Sequence, residues 1–315
     1  MQDVDMPESK GRSRVGLTVV LLVAIVLCLG IVGAVLAPVL MSNQQGASAP
    51  GRSRVPSRGP TPSQTPLPDV TSKPHKLDEA MNTRLLFAYQ SVGRDIAGAI
   101  PAVYKSAKLP APKIMTWNRA KNAKGPVVAT ATIGQNGNAL SKLRAYARMV
   151  NEAPRNSIGV SLLAFNYQDV NAETDIDDLF QSYADTMSSL EAANPDISFL
   201  YTTVPVTTAN SWRSVERSTI TGLSNVNQPL WQDNIARERL NTLLRERYEE
   251  TGRLFDIAAL QANAGGDKVI AKQHEDLWYY VMNPRLSRDG KRLNSVGARE
   301  LAHVLALLVA ASSLG

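Results

Sequence analysis

Short apolar runs alternate with longer segments of helical period between residues 77 and 315, and this alternation constrains the fold most strongly. Strands are predicted for the apolar runs at residues 84–89, 127–133, 158–165, 197–206 and 254–257. Helices are predicted for residues 93–107, 140–150, 175–193, 228–250 and 295–311. Strands and helices that alternate in this way build a mostly parallel sheet covered by helices. The sequence therefore predicts an α/β domain, a three-layer α/β/α sandwich of flavodoxin-like type.

The N-terminal part of the chain has a different character, because residues 15–41 contain no charged side chain. At about 1.5 Å per residue, a helix of this length crosses the roughly 30 Å apolar core of a bilayer. We therefore predict one transmembrane helix at residues 15–41. A cleaved signal peptide is the alternative, because Lys10, Arg12 and Arg14 form a basic start and residues 47–49 read Ala-Ser-Ala, a cleavage-like pattern.

The segments beside this apolar run complete the predicted domain organisation. Residues 1–14 are expected to be a basic cytoplasmic tail, because basic residues close to a membrane span favour the cytoplasmic side. Residues 42–76 are rich in Ser, Pro and Arg and have too few apolar groups to offset the entropy of ordering. They predict a disordered linker. Residues 77–315 would then form an extracytoplasmic domain that the helix holds at the cell membrane.

Charge and cysteine content exclude several classes of function. The formal net charge is +6, and residues 1–75 carry half of it. The rest of the chain mixes basic and acidic residues almost evenly, so it lacks the basic stripe that binds nucleic acid phosphates. Cys28 is the only cysteine, which excludes an intrachain disulfide. Three histidines without a Cys/His cluster also argue against a bound transition metal, and no cofactor is predicted.

Two turns that follow predicted strands contain candidate functional residues. Ser91 comes after the first strand and directly before a helix, whose amide groups and positive dipole end can stabilise an oxyanion. Gly93 allows close approach of the backbone there. Alternatively, Ser91 only caps the helix. Gly134 and Asn136 follow the strand at residues 127–133, where they form either a plain turn or part of an oxyanion hole.

Two further blocks complete a pattern, residues 165–169 after another strand and residues 289–294 before the last helix, which Asn294 is placed to cap. In this order the blocks resemble the SGNH/GDSL hydrolase family over most of residues 82–312. They are similar to bacterial members that read His-Xaa-Ser-Val-Gly, then Ile-Gly-Xaa-Asn-Gly, and last Asp-Gly-Xaa-His-Leu-Asn followed by Gly. The matching positions here are Ser91-Val92-Gly93, Ile133-Gly134-Gln135-Asn136-Gly137, Asp289-Gly290, Leu293-Asn294 and Gly297.

The resemblance implies a role for each matching residue. Ser91 would be the nucleophile, and its amide with Gly134 and Asn136 would form the oxyanion hole, with Gly93 in the same turn. Asp289 would orient the base. However, the histidine of the last block is replaced by Arg292, and a guanidinium stays protonated and cannot accept the proton of a serine.

Other histidines could replace the missing base only if the fold brings one to Ser91. The second family histidine, two residues before the serine, is replaced by Tyr89. His75 lies in the predicted linker and His303 within the last predicted helix, which leaves His274 as the remaining candidate.

Two functions follow from these observations. The first is a membrane-anchored ester hydrolase of the SGNH/GDSL lineage, acting on acyl groups of envelope carbohydrate and impaired or inactive through loss of its histidine. The second is a non-catalytic module on the same scaffold that binds a glycan or a protein. In that case Arg292 would pair with Asp289 or hold an anionic group of the ligand. For the site in general, a carbohydrate or an acylated small molecule is the expected ligand.

Overall fold

The computed structural model describes residues 74–210, 212–213, 228–266 and 268–313. The predicted cytoplasmic tail, the predicted transmembrane helix at residues 15–41 and nearly all of the predicted linker lie outside the described residues. They therefore remain predictions. The first described helix begins at Pro74, three residues before the predicted start of the folded domain.

The described residues form twelve strands, numbered in chain order: β1 (Arg84–Tyr89), β2 (Ile114–Thr116), β3 (Val127–Thr132), β4 (Val160–Leu163), β5 (Ser198–Thr202), β6 (Trp212–Arg213), β7 (Gln228–Pro229), β8 (Leu254–Phe255), β9 (Asn263–Gly265), β10 (Lys268–Val269), β11 (Ala271–His274) and β12 (Leu277–Tyr280). Six of them build one sheet in the order β2-β3-β1-β4-β5-β8. Every neighbouring pair in this sheet is parallel. The predicted α/β class is confirmed.

Eight α-helices are described: α1 (Pro74–Met81), α2 (Val92–Ser106), α3 (Trp117–Ala120), α4 (Ala139–Asn151), α5 (Ile176–Ala193), α6 (Trp231–Tyr248), α7 (Ile257–Ala262) and α8 (Ser295–Ser312). Short 3₁₀ turns occur at Tyr167–Asp169, Glu249–Thr251 and Pro284–Leu286. The five predicted strands and five predicted helices are all present, with somewhat different ends. Asn294 caps α8 as predicted, because its side chain accepts hydrogen bonds from the amides of Val296 and Gly297.

Helices cover both faces of the sheet. Along β1, Leu85 and Phe87 pack into one apolar layer with α2, α7 and α8, whereas Leu86 and Ala88 pack into a second layer with α4, α5 and α6. Successive strand residues point to opposite faces, so a strand buried on both sides needs a continuous apolar run. That requirement explains why β1 and β4 could be recognised in the sequence.

Two parts of the fold carry no clear sequence signal. The edge strand β2 has three residues and no alternating pattern, and the antiparallel hairpin of β11 and β12 contains mostly polar residues in its first strand. Short edge strands are paired on one side only and need little apolar surface. Their positions are therefore decided by neighbouring strands and helices.

One helix among the described residues, α8, is long and apolar enough to cross a membrane by length and composition alone. Its residues Leu301 and Leu305 are fully buried, and the helix packs against α1 and α2. Helix α8 is therefore a core helix of the folded domain in this structure, and its apolar character is explained by burial within the protein.

Candidate functional site

Three loops meet at the carboxyl edge of the sheet. Strands β3 and β4 flank β1 on either side in parallel, so the loops that leave these three strands emerge side by side. They contain Ser91, residues 133–138 and residues 165–169, which are the first three blocks identified in the sequence. Ligands of open parallel sheets bind at this edge.

Ser91 occupies a strained turn between β1 and α2. Its φ of 42° and ψ of −101° lie in a region that residues with a side chain rarely adopt. It stands at the N-cap of α2, yet its side chain makes no capping hydrogen bond. A helix cap therefore does not account for the serine hydroxyl. Serine hydrolases of other folds present their nucleophile on a similarly strained strand-to-helix turn.

Gly93 and Tyr89 fix how α2 leaves the strand. A Cβ at Gly93 would lie 2.3 Å from the Cβ of Tyr89, so only glycine permits this close approach. The Gly93 amide donates to the carbonyl of Gln90 within the turn. Tyr89, at a position where the resembling family has histidine, is buried and packs edge-on against Phe87, with ring centroids 4.9 Å apart. Tyr89 therefore contributes to the core.

The loop after β3 holds Asn136 in one orientation. The Asn136 side chain accepts hydrogen bonds at Oδ1 from Lys142 Nζ at 3.3 Å and from Asn166 Nδ2 at 3.4 Å. An ammonium group can only donate, so the atom of Asn136 that faces Lys142 must be the oxygen. The amide nitrogen of Asn136 is consequently left to donate elsewhere.

A buried ion pair lies beneath this loop. Lys142 Nζ and Asp169 Oδ2 are 2.6 Å apart, and both side chains have 0% exposure. Burial lowers the pKa of Lys142, against the opposing effect of Asp169. The sequence analysis missed Lys142. The available signal was its place on the apolar side of α4, near Ala139, Leu143 and Tyr146, where a lysine needs a buried partner.

The fourth block forms an ion pair of its own. Arg292 Nε and Nη2 both lie 2.6 Å from Asp289 Oδ2, while Asp289 Oδ1 accepts hydrogen bonds from the amides of Lys291 and Arg292. Burial alone would raise the pKa of Asp289, but the hydrogen bonds from Arg292 outweigh it and the pKa is lowered. The resemblance assigns the Asp289 carboxylate to orienting a histidine. In this chain the same carboxylate is paired with the guanidinium of Arg292 instead.

Asp95 connects the first turn of α2 with the segment at the start of the fourth block. Its Oδ1 lies 3.5 Å from Arg288 Nη2, and its Oδ2 is buried without a hydrogen-bond partner among the described residues. Burial raises the pKa of Asp95. The charges of Arg288 and Arg292 lower it and that of Asp289 raises it, but burial has the largest effect. The fourth block and the first turn after Ser91 are therefore neighbours. The sequence analysis did not identify Asp95.

Tyr167, in the third block, is affected by the charge of a residue in the fourth block. Burial raises its pKa, and the charge of Asp289 adds to the effect. Its carbonyl accepts a hydrogen bond from the buried Arg237 Nε at 2.8 Å. The third block therefore lies within electrostatic reach of the fourth.

Neither of the two histidines whose side chains the structure describes takes the place of the missing base. His274 lies on the exposed strand β11, where its ring is 4.0 Å from that of Trp231, and no hydrogen bond joins it to Ser91. His303 lies within α8, and burial lowers its pKa. His75 is in α1, before the first strand.

An open groove of about 400 Å³ runs beside the fourth block. Its lining residues come from the loop after β5 and from the segment before α8: Thr208, Ala209, Asn210, Pro284, Ser287, Arg288, Asp289 and Gly290. Arg288 and Arg292 are about half exposed, at 51% and 50%. The described residues contain no group of three or more His, Cys, Asp or Glu side chains that could hold a metal ion.

No protein family model and no curated protein matches this chain. Several solved structures share a distant likeness, and three of them follow. A protein described as a proposed platelet activating factor from Streptococcus pneumonia is 8% identical, with a TM-score of 0.39, over 73% of this chain and 89% of its own. A peptidoglycan O-acetylesterase is 15% identical, with a TM-score of 0.34, over 58% of this chain and 45% of its own.

The third is the salicylyl-acyltransferase SsfX3 from a tetracycline biosynthetic pathway, which is 11% identical, with a TM-score of 0.34, over 71% of this chain and 53% of its own. This chain thus spans about half the length of the second and third proteins. At such low identities and TM-scores, these likenesses assign neither a family nor an activity.

Proposed function

We propose that the folded domain carries an ester site of the SGNH/GDSL hydrolase type, in which Ser91 is the nucleophile and hydrolysis is impaired because Arg292 replaces the base. The observation that carries this proposal is the strained Ser91, whose hydroxyl does not cap the helix that follows it. A strained residue persists only where the surrounding structure holds it, and such residues cluster at functional sites. The order of the four blocks around Ser91 supports the same assignment.

The chemistry of this site is incomplete in one respect. Attack by Ser91 Oγ on an ester would place negative charge near the N-terminus of α2 and the amide of Asn136, both of which can stabilise it. The serine proton needs an acceptor, and Arg292 cannot be one because it stays protonated. Loss of the histidine of a serine triad costs on the order of 10⁶ in rate, while the remaining groups still support slow turnover.

The proposed substrate is an acyl ester on a carbohydrate of the cell envelope. A domain tethered through a linker to the predicted membrane helix at residues 15–41 could reach such polymers near the membrane surface. The tether and the membrane are expectations from the sequence, and the open groove beside Asp289 offers room for part of an extended glycan.

The decisive variant is Arg292→His in the full chain. We expect it to raise kcat/KM for hydrolysis of an acetyl ester by at least about 100-fold, because a positioned general base contributes about 10² to 10⁴. The measurement is the initial rate with p-nitrophenyl acetate and with an O-acetylated glycan. Arg292→Lys serves as a matched control, since it changes the side chain but supplies no base at neutral pH.

The double variant Arg292→His/Ser91→Ala shows whether any gain passes through Ser91, and its rate should fall to that of buffer. Hydrolysis that persists without Ser91 would contradict the proposal. We change Arg292 alone first, because Tyr89, the other departure from the family pattern, is buried in the core and its replacement would disturb packing.

A second candidate function is binding without catalysis. It is favoured by the two half-exposed guanidinium groups of Arg288, which lines the groove, and Arg292, which pairs with the groove residue Asp289. Guanidinium groups held in this way suit an anionic group of a glycan or a protein. If Arg292→His gives no hydrolysis but weakens the binding of an acidic oligosaccharide, this second function is the better account.

A further inference from the structure

We infer that Lys142 is a positioning residue of the site: its buried ammonium group fixes the side chain of Asn136, so that the Asn136 amide N–H donors face the place where an ester oxyanion would form. This inference rests on the proposed function, because it assigns Lys142 to the same reaction. It concerns a residue outside the four sequence blocks.

The ion pair of Lys142 and Asp169 is poorly explained by stability alone. Both side chains have 0% exposure, and their charged atoms are 2.6 Å apart. Removing two charges from water costs so much that well-packed apolar side chains of similar volume commonly stabilise a protein at least as well. A buried pair next to a candidate site therefore suggests a positional role.

Asp169 joins the two loops that lie on either side of Ser91. Its Oδ1 accepts a hydrogen bond from the amide of Gly137 at 2.9 Å, in the loop after β3. Its Oδ2 accepts one from the amide of Asn166 at 2.6 Å, in the loop after β4. Because β3 and β4 are the two neighbours of β1, this single carboxylate sets the spacing of the loops around the serine.

Lys142 reaches the same two loops from below. Its stem packs under Gly134, where an added Cβ would lie only 2.5 Å from Lys142 Cγ. Its Nζ then donates to Asn136 Oδ1, which also accepts a hydrogen bond from Asn166 Nδ2. Two donors on one oxygen define which way the Asn136 amide is turned, although the rest of that side chain is exposed.

The orientation of the Asn136 amide decides whether the site presents hydrogen-bond donors or an acceptor. With its oxygen turned inward, Asn136 presents hydrogen-bond donors; if the amide flipped, it would present an oxygen and repel an oxyanion. Loss of one oxyanion-hole donor costs about 10² to 10³ in rate in serine hydrolases. We expect loss of its orientation to cost about 10-fold or more, since the flipped and correct orientations would then compete.

The test measures the rate at which Ser91 in the full-length chain reacts with a fluorophosphonate probe, with the modified residue located by mass spectrometry. The variants are Lys142→Met, Asn136→Ala and the combination of both, with Ser91→Ala as the blank. We expect Lys142→Met to react about 10-fold more slowly than wild type, and Asn136→Ala about 10²- to 10³-fold more slowly because it removes the donor itself. We expect the combination to be no slower than Asn136→Ala, because Lys142 acts through Asn136.

A merely structural role of Lys142 would give a different result, since its effect would then add to that of Asn136→Ala. Such additivity overturns the inference, as does a Lys142→Met protein that reacts at the wild-type rate. If Lys142→Met fails to fold because Asp169 is left as an unpaired buried charge, the variant Lys142→Met/Asp169→Asn removes both charges. The same comparison with Asn136→Ala is then made in that background.

The design also separates this inference from the proposed function. If Ser91 is modified neither in the wild type nor in the Arg292→His variant, the proposed function fails and the inference about Lys142 falls with it. If Ser91 is modified only in Arg292→His, the comparison of the Lys142 and Asn136 variants is made in that background. If the wild type is modified at Ser91 and the rate does not depend on Lys142, only the inference about Lys142 is wrong.

Discussion

Asp95 shows how a single side chain can be recognised as unusual only from its surroundings. It stands in the first turn of α2, where an acidic residue would be expected simply to complement the helix dipole. The structure buries one of its carboxylate oxygens without a hydrogen-bond partner among the described residues, and Arg288 lies against the other oxygen. Ser91 and Arg292, in contrast, could be singled out from sequence because strand ends and motif order identify them. The place of Lys142 on the apolar side of α4 was a signal that it needs a buried partner, but the sequence could not identify that partner, because Asp169 is 27 residues away.

We predict that Asp95→Asn stabilises the protein at neutral pH. Burial raises the pKa of Asp95 above its usual 3.8 in the folded state, so the ionised carboxylate costs folding free energy. The cost appears as pH rises from about the usual value through the folded-state value, and it is absent below both. Thermal unfolding of wild type and variant across a pH series should therefore show a gain near pH 7 that disappears in acid. Asp196→Asn, an exposed loop variant, is the control, and a less stable Asp95→Asn protein at pH 7 would contradict this prediction.

At the scale of elements, hydrophobic period identified the strands and helices that form the core, and failed where an element has little apolar surface. Strands β1, β3, β4 and β5 are apolar runs because helices cover both of their faces. Strand β2 and the hairpin of β11 and β12 were not predicted, because their pairing depends on neighbours that are distant in sequence.

Helix α2 contains two glycines that should respond in opposite ways to alanine. At Gly93 a Cβ would lie 2.3 Å from the Cβ of Tyr89, whereas at Gly98 a Cβ meets no atom within 4 Å. We expect Gly98→Ala to stabilise the protein by about 1 kcal/mol, the difference in helix propensity. Gly93→Ala should destabilise it by about 1–3 kcal/mol, because α2 must move away from β1. Urea unfolding of both variants measures these changes. Similar effects of the two substitutions would contradict the close approach of α2 to Tyr89.

At the scale of the whole molecule, two apolar layers enclose one parallel sheet, and the candidate site lies where three of its loops meet. Helix α8 closes the layer that also contains α2, and it therefore supports the turn that holds Ser91. An apolar helix of 18 residues could be mistaken for a membrane span from its sequence alone. The packing of α8 against α1 and α2 shows that it is a core helix of the folded domain in this structure.

We predict that Leu305→Ala in α8 destabilises the domain by about 2–5 kcal/mol, as expected for removal of a fully buried leucine. Leu308→Ala is the matched control in the same helix, because Leu308 is only partly buried and its loss should cost clearly less. Denaturant unfolding of the two variants gives the comparison. Equal, small effects would mean that α8 is not part of the core.

The sequence by itself determined the α/β class, the order of the main strands and helices, and the four blocks in which candidate functional residues occur. These properties are local, because apolar period and turn residues express them within a few positions. Only the tertiary structure decided that the Ser91 hydroxyl does not cap its helix and that Arg292 forms an ion pair with Asp289. It also decided that the buried pair of Lys142 and Asp169 joins the loops around the serine. These features depend on backbone strain, burial and contacts between distant segments, and the order of residues along the chain does not express such quantities.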